Sequence, residues 1–328
     1  MGTTKVNFRL PDDLVEKADV VLENFPPTFT DKYDIGYETV REHNSEIIYC
    51  SISAYGETGP YRNYPGIDTT VQALSGAASM TRDEDSSPMR SGVPMNDVFA
   101  ALYAVQGILG ALRNREQTGE GDFIDISLLD AGLSGLTTRA TYSFATDQPY
   151  PPFGRRHNYF APEGLYEVDD GTVQISVVTN RHWRALCKTL EITHLVNDDR
   201  FESVNKRVEN RNELDNILEE KLTKWTVKEL VTALREAGLP AAPVNDTLSA
   251  FENPQAQSRD MRQTVEHPTA GEVDTIGFPV KYENSKLQVK RHPPVLGEHT
   301  DEILDSLGFD KKNRKKLLEK GVISQSEE

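Results

Sequence analysis

The sequence predicts an α/β fold built on a parallel sheet, and two observations carry this prediction. In the first half of the chain, short apolar segments that suit buried strands alternate with segments of helical spacing, an order typical of parallel sheets. With 328 residues, of which 37% are hydrophobic, the chain is long enough for one large domain or two modest ones.

The first two predicted strands are short apolar runs at residues 19–22 and 47–52. Each leads into a polar loop that contains Pro or Gly, at 23–32 and 55–68. Ligands bind parallel sheets beyond the carboxyl ends of the strands. These two loops are therefore the first places where a ligand site is expected.

The predicted helices of this half fall between the strands. Asp12 or Asp13 is predicted to cap a short helix that ends near Ala18. Residues 37–43 and 68–78 have helical spacing. A third strand is predicted at 122–127, followed by a helix from about Leu128.

The strongest predicted helix spans 98–113 and follows a loop rich in Ser, Asp and Pro. Its apolar stripe consists of Phe99, Leu102, Val105, Leu109 and Leu112. Asp97 stands just before it, and two interpretations of this residue are open. As an N-cap its carboxylate would accept a backbone N–H, worth about 1 kcal/mol. As a functional group it would be kept ionised by the positive end of the helix dipole, and so be a competent nucleophile for acyl transfer.

The order of predicted elements changes after a Pro- and Gly-containing break at 150–154, where the alternation of strands and helices ends. Residues 165–168 and 172–178 flank Asp169-Asp170-Gly171, which predicts a β-hairpin. Thr226 and Glu229 form a capping-box pattern that opens a helix. The sequence therefore predicts three parts: a large domain at 1–150, a smaller α+β domain at 162–245, and a segment at 246–328 that returns to the large domain.

The net charge of the chain limits which classes of molecule it is expected to bind. Lys and Arg total 36 against 52 Asp and Glu, a formal net charge of −16. Such a surface repels nucleic acid and anionic lipid, so neither is expected as a partner, and an anionic ligand needs local positive groups. Arg155, Arg156 and His157 form a dense cationic cluster that either faces an anionic substrate or lies in a surface loop.

Several features predict a cytoplasmic location. The sequence shows no signal-peptide pattern at its start, and no apolar run is expected to be long enough to span a bilayer. Cys50 and Cys187 are far apart in sequence, so they predict neither a disulfide framework nor a metal site.

A series of separate segments, in this order and spacing, resembles the family III CoA-transferases, also called the CaiB/BaiF family. Each segment alone is weakly specific, but together they cover nearly the whole chain. They include Gly92-Val93-Pro94-Met95-Asn96-Asp97 and Leu296-Gly297-Glu298-His299-Thr300. The others lie at 18–25, 56–61, 65–68, 72–76, 107–112, 118–121, 126–131 and 241–244.

The resemblance implies a Rossmann-like large domain, an interlocked homodimer and an acyl-CoA:carboxylate CoA-transferase activity. Asp97 matches the family's catalytic aspartate, which forms an anhydride and then an aspartyl-CoA thioester. A CoA thioester is then a substrate, a small carboxylic acid is the other, and no permanently bound cofactor or metal is expected. The positions that match the family's CoA contacts are Asn24, Phe25, Pro26, Lys32, Tyr64, Pro65, Gly66 and Ile67.

Two rival functions remain open from the sequence. An α-methylacyl-CoA racemase of the same fold would carry a histidine just before Asp68, where this chain has Ile67. A non-catalytic or split CoA-binding subunit is the other rival. It is suggested because family members normally begin with a further strand–helix–strand portion, which is expected to be absent here through a misplaced start, a separate chain or a real loss.

Overall fold

A computed structural model describes residues 18–83, 86–152 and 154–323. The helix predicted near Asp12 lies outside these residues. The first sheet contains β1 (Val20–Glu23), β2 (Ile48–Ser53) and β3 (Asp122–Ser127) in the order β1-β2-β3. Both pairings are parallel, with Val20 opposite Ile48 and Ile48 opposite Asp122. The predicted parallel α/β arrangement of this half is thus confirmed.

Helices connect these strands. Two of them, α1 (Pro27–Tyr33) and α2 (Tyr37–His43), lie between β1 and β2. The next three lie between β2 and β3: α3 (Asp68–Leu74), α4 (Ala77–Met80) and α5 (Met95–Thr118). After β3 come α6 (Leu128–Gly135) and α7 (Thr138–Thr146).

The prediction of a single helix at 68–78 is wrong, because the structure has two helices there, α3 and α4. Gly76 has a φ of 88°, a left-handed conformation that an α-helix does not continue through. The chain therefore turns between the two helices. The loop that follows α4 then leads to the start of α5.

Helix α5 packs on β2, β3 and α6 through its small residues. Ala100, Ala104 and Ala111 are buried, and a Cβ added to Gly107 would lie 3.0 Å from a methyl carbon of Ile124. Three bulky residues of the predicted stripe do not face the sheet: Leu102, Val105 and Leu109 are 63%, 57% and 61% exposed. Short side chains let the helix backbone approach the sheet, and the bulky stripe then points away from it.

By length and composition, α5 is the one helix among the described residues that could cross a membrane. The expectation that no apolar run is long enough is therefore wrong for this helix. Its alanine face nevertheless packs within the domain, against β2 and β3. That no membrane takes part in function stays a prediction.

A second sheet is antiparallel, with β4 (Glu163–Val168), β5 (Gly171–Ser176) and β6 (Ala241–Pro243) in the order β4-β5-β6. The hairpin predicted around Asp169-Asp170-Gly171 is confirmed. This sheet shares a core with α8 (Asn180–Thr189), α10 (Arg211–Leu222) and α11 (Val227–Glu236), and α9 (Val204–Glu209) precedes α10.

The capping box at the start of α11 is also confirmed. The Thr226 hydroxyl accepts the backbone N–H of Glu229 at 3.3 Å. The Glu229 carboxylate accepts the backbone N–H of Thr226 at 3.2 Å. These reciprocal bonds satisfy two backbone donors that the helix itself leaves without partners.

The chain forms two compact units, divided between Pro243 and Val244. The second unit contains α12 (Thr247–Glu252), α13 (Pro254–Ser258), α14 (Thr300–Ser306) and α15 (Lys311–Glu319). It also contains an antiparallel pair of strands, β7 (Arg262–His267) and β8 (Gly271–Ile276). The three-part domain division, including the return of 246–328 to the large domain, stays a prediction.

Candidate active site

The candidate nucleophile Asp97 lies in the first turn of α5. This helix begins at Met95, three residues earlier than predicted, and its N-cap position is Pro94, which makes no side-chain cap. The interpretation of Asp97 as the N-cap residue is therefore wrong. Asp97 is exposed, and its carboxylate does not cap the helix. The helix dipole still favours the ionised form of this carboxylate.

A second aspartate, Asp68, holds the start of α5 instead. Its buried carboxylate accepts the backbone N–H of Asn96 at 2.9 Å. The Asn96 amide in turn donates to the backbone carbonyl of Asp68 at 3.3 Å. The side-chain amide of Gln72 donates to the other Asp68 oxygen at 2.7 Å. No local sequence pattern predicts this role, because Asp68 and Asn96 are 28 residues apart.

The environment of Asp97 makes its carboxylate harder to ionise than usual. Although Asp97 is exposed at the surface, neighbouring protein atoms partly desolvate its carboxylate and raise its pKa, and the nearby negative charge of Asp68 raises this pKa further. A carboxylate with a raised pKa is a stronger base and a better nucleophile once it is ionised. It also loses its charge at a higher pH than an ordinary aspartate.

The predicted CoA contacts Tyr64, Pro65, Gly66 and Ile67 lie in the loop after β2 and run directly into Asp68. The ring of Tyr64 stacks on Tyr61 with 5.3 Å between centroids. Tyr64, Pro65 and Ile67 are exposed. Residues 64–67 of this loop therefore directly precede Asp68, whose carboxylate holds the start of α5, the helix that carries Asp97.

The predicted contacts Asn24, Phe25 and Pro26 follow the carboxyl end of β1. The Asn24 amide donates to the carbonyl of Ile52 at the end of β2. The backbone N–H of Phe25 donates to the Glu23 carboxylate at 2.6 Å. All three residues are exposed. Because β1 and β2 are adjacent and parallel, both groups of predicted contacts lie at the same edge of the sheet.

Lys32 lies on α1, exposed at the same end of β1. Its ammonium group lies 4.8 Å from the centre of the Tyr33 ring and 3.3 Å from the Tyr33 hydroxyl. Arg62 joins this region to the loop after β2, because its guanidinium pairs with Asp31 at 3.0 Å and with Glu57 at 3.2 Å. The CoA-binding roles of all these residues stay predictions.

The cationic cluster after the break is largely committed to ion pairs. Arg155 pairs with Glu167, and Arg156 pairs with Asp215 at 2.9 Å and with Glu219 at 3.0 Å. These contacts tie the segment to the smaller sheet and to α10. Among the described residues, no group of three or more His, Cys, Asp or Glu is placed to hold a metal ion.

Comparison with known proteins gives consistent results. The family described as CoA-transferase family III matches residues 8–300. The succinyl-CoA:glutarate CoA-transferase of Homo sapiens is 32% identical over 96% of this chain and 72% of its own length. The succinyl-CoA:mesaconate CoA-transferase of Haloarcula marismortui is 36% identical over 90% of this chain and 76% of its own length.

A solved structure supports the same assignment at the level of the fold. The crystal structure of a CAIB/BAIF family protein from Brucella suis is similar with a TM-score of 0.82 and 33% identity, covering 90% of this chain and 77% of that one. The predicted resemblance is thereby confirmed, as is the mixed α/β fold with a parallel sheet.

We expect Gly66→Ala to disturb the loop that leads to Asp68. A Cβ at this position would lie 2.6 Å from the Cβ of Ala54 and 2.9 Å from the Tyr55 ring, so the loop must move away from β2. Overpacking of this kind costs about 1–3 kcal/mol of the free energy of unfolding, measurable by denaturant titration. Gly36→Ala is the control, since nothing lies within 4 Å of its added Cβ. Equal stability of the two variants would contradict the tight approach.

We expect Asp68→Asn to lower the pKa of Asp97, because it removes one of the two causes that raise it. An amide oxygen can still accept the N–H of Asn96, so the helix start is retained. The pKa is measured by carbon-13 NMR of labelled aspartate carboxyls, with Asp97→Asn to assign the resonance. The ionised, nucleophilic form of Asp97 should then persist to lower pH than in the parent. An unchanged or raised pKa would show that the Asp68 charge does not act on Asp97.

Proposed function

The chain belongs to CoA-transferase family III, and from that premise we propose that it moves CoA between carboxylic acids through covalent intermediates on Asp97. The observation that carries this proposal is the position of Asp97. It is an exposed carboxylate in the first turn of α5, with the helix start held by a separate residue, Asp68. A side chain that does not cap its own helix is available for chemistry.

The first half of the proposed reaction releases the donor acid. An Asp97 oxygen attacks the thioester carbonyl carbon, the carbon–sulfur bond breaks, and CoA leaves as a thiolate. The product is a mixed anhydride of Asp97 and the donor acyl group. The thiolate then attacks the Asp97 carbonyl carbon of this anhydride, which releases the donor carboxylate and leaves an aspartyl-CoA thioester.

The second half repeats these steps in reverse with the acceptor acid. The acceptor carboxylate attacks the aspartyl carbonyl carbon and expels the CoA thiolate, which forms a second anhydride. The thiolate then attacks the acceptor carbonyl carbon and releases the Asp97 carboxylate. One thioester is consumed and one is formed, so the transfer needs no other energy source.

We propose dicarboxylic acids as the substrate class. The human relative is named for succinyl-CoA and glutarate, and the Haloarcula relative for succinyl-CoA and mesaconate. Each of these acids carries a second carboxylate that takes no part in the transfer. A racemase is less well supported, because Ile67 supplies no proton acceptor beside Asp68.

We expect Asp97→Ala to abolish both the covalent intermediate and CoA transfer. The parent, incubated with succinyl-CoA, should gain the mass of an acyl or CoA adduct that maps to Asp97. The variant should show none and should lose at most about 1 kcal/mol of stability through the helix dipole. Asp130→Ala is the matched control, because Asp130 occupies the same position in the first turn of α6.

Transfer at the parent rate in Asp97→Ala would remove Asp97 from its proposed role. A parent that binds CoA, forms no adduct and transfers nothing would instead identify a CoA-binding subunit. The first outcome is read from the intact-mass and transfer measurements, and the second needs a titration of CoA binding to the parent beside them.

We also propose that the protein is a homodimer that buries the apolar stripe of α5. Leu102, Val105 and Leu109 lie on one exposed face of this helix, and contiguous exposed apolar surface of this kind is typical of interaction sites. A second copy offers the same stripe, as a two-fold interface requires.

We expect the double change Leu102→Glu and Leu109→Glu to shift the protein to a monomer of about 36.7 kDa. Four buried and unpaired carboxylates per dimer would oppose association. The mass is measured by light scattering after size exclusion. Gln117→Glu, which adds a charge to an exposed position near the end of the same helix, should leave the dimer intact. A parent that is itself a monomer would refute the proposal.

A further inference from the structure

One face of the first sheet carries acidic side chains at positions where a covered face is normally apolar. Alternate residues of a strand point to the same face. The register places Glu23 of β1 beside Ser51 of β2, and Ser51 beside Asp125 of β3. The row before it is aromatic, with Tyr49 beside Phe123. A row with two carboxylates therefore adjoins a row with two rings on one side of the sheet.

A cavity of about 410 Å³ lies over this face, within the size range of small-molecule sites. Glu23, Tyr49 and Phe123 line it from the sheet, and Tyr37 lines it from α2. The Tyr37 ring stacks on the Phe123 ring with 5.1 Å between centroids. The cavity lies wholly within the first compact unit, and Asp97 is not among its lining residues.

Glu23 brings to this cavity a carboxylate oxygen without a hydrogen-bond partner. The residue is 8% exposed, and its Oε2 atom accepts the backbone N–H of Phe25 at 2.6 Å. The buried Oε1 atom accepts no hydrogen bond from the described residues. The Ser51 hydroxyl acts on both Glu23 and Glu57, but it donates its single hydrogen to Glu57 at 2.9 Å. A buried acceptor left in this way costs free energy unless a donor reaches it.

The charge of Glu23 has no positive partner either. Among the described residues, the groups that act on its ionisation include no cation. Burial raises the pKa of Glu23 and the negative charge of Glu57 raises it further, while two hydrogen bonds lower it in part. The guanidinium of Arg62 is committed to Asp31 and Glu57, at 3.0 and 3.2 Å. A cation that enters the cavity would therefore meet an unbalanced negative charge.

Two further carboxylates line the cavity at its exposed side, Asp34 and Glu38. Asp34 ends α1 with a φ of 55°, and its carboxylate accepts the Thr39 hydroxyl at 2.7 Å. The cavity thus carries negative charge at its buried end, at Glu23, and again at its mouth. Aromatic rings lie on the sheet side between these charges.

This arrangement suits an organic cation with an ammonium group at each end. Carboxylates and aromatic faces both attract ammonium groups, and a buried carboxylate gains most from such a partner because it is otherwise unpaired. A metal ion fits less well, since no group of three or more His, Cys, Asp or Glu in the described part of the chain is placed to hold one. Two separated negative regions instead match a ligand with a methylene chain between its charges.

We propose that this cavity binds a small aliphatic diamine. One ammonium group donates to the free Oε1 atom of Glu23, and the other lies at the carboxylates of Asp34 and Glu38. The methylene chain lies against the rings of Tyr37 and Tyr49. The site goes beyond the proposed CoA transfer and does not depend on it, because no step of that transfer uses these side chains.

The test compares the binding of putrescine and butylamine by titration calorimetry at constant ionic strength, since salt screens exposed charges. The parent should bind putrescine more tightly than butylamine. Glu23→Gln should weaken the binding of both amines by about 10- to 100-fold, the value of a hydrogen bond to a charged group. The amide oxygen of this variant can still accept the N–H of Phe25. Glu42→Gln, which removes an exposed charge of α2 outside the cavity, should match the parent.

A second variant, Asp34→Asn, tests the outer end of the cavity. Asparagine tolerates the left-handed φ of 55° at this position, and its oxygen can still accept the Thr39 hydroxyl, so the fold is retained. This change should weaken putrescine binding several-fold and leave butylamine binding unchanged.

Equal putrescine affinity of the parent and Glu23→Gln, including no measurable binding by either, would overturn the proposal. Equal weakening by Glu42→Gln would also overturn it, because the amine would then be attracted to the acidic surface as a whole. An effect of Asp34→Asn that is the same for both amines would overturn the placement of a second ammonium group at the mouth.

Discussion

The contact between the Asp68 carboxylate and the backbone N–H of Asn96, at 2.9 Å, is the constraint on which the candidate site depends. It joins the loop after β2 to the first turn of α5, two segments that are far apart in the chain. Because residues 64–67 run directly into Asp68, the loop and the helix that carries Asp97 are held together. The same carboxylate raises the pKa of Asp97. The helix start beside Asp97 is therefore held at some loss in the ease with which Asp97 ionises, a balance that suits the proposed role of a group that must be both basic and charged.

Because the whole chain is acidic, the binding of an anionic ligand depends on positive groups close to its site. A net charge of −16 repels acyl-CoA and dicarboxylates at long range, although salt screens this repulsion beyond about 8 Å at physiological ionic strength. Within that distance the individual groups determine binding. Arg155 and Arg156 are engaged in ion pairs with carboxylates, whereas Lys32 is exposed at the carboxyl edge of the first sheet. A positive group at the sheet edge is thus consistent with the proposed binding of an anionic thioester by a chain that is acidic elsewhere.

The parts of the fold that the sequence predicted are those set by local patterns. Strand β3, helix α2 and the capping box of Thr226 depend on residues within a few positions of one another, and their bounds or contacts agree with the prediction. The role of Asp68 and the buried alanine face of α5 depend on partners distant in sequence, and periodicity carries no information about them. The leucine stripe illustrates the limit: spacing showed that the segment is a helix, while the small residues that allow close approach decided which face is buried.

The exposure of Asp97 bears on the covalent mechanism proposed for it. An aspartyl anhydride reacts with water as well as with a thiolate, so productive transfer needs a site from which water is excluded. In the described chain the Asp97 side chain is exposed, and Leu102, little more than one turn further along α5, is 63% exposed. Bound acyl-CoA would cover part of this surface. A second copy packed on the stripe of α5 would cover the adjoining part. In the proposed dimer, association and protection of the intermediate would be consequences of the same contact, because the helix that carries the proposed nucleophile also carries the exposed apolar stripe.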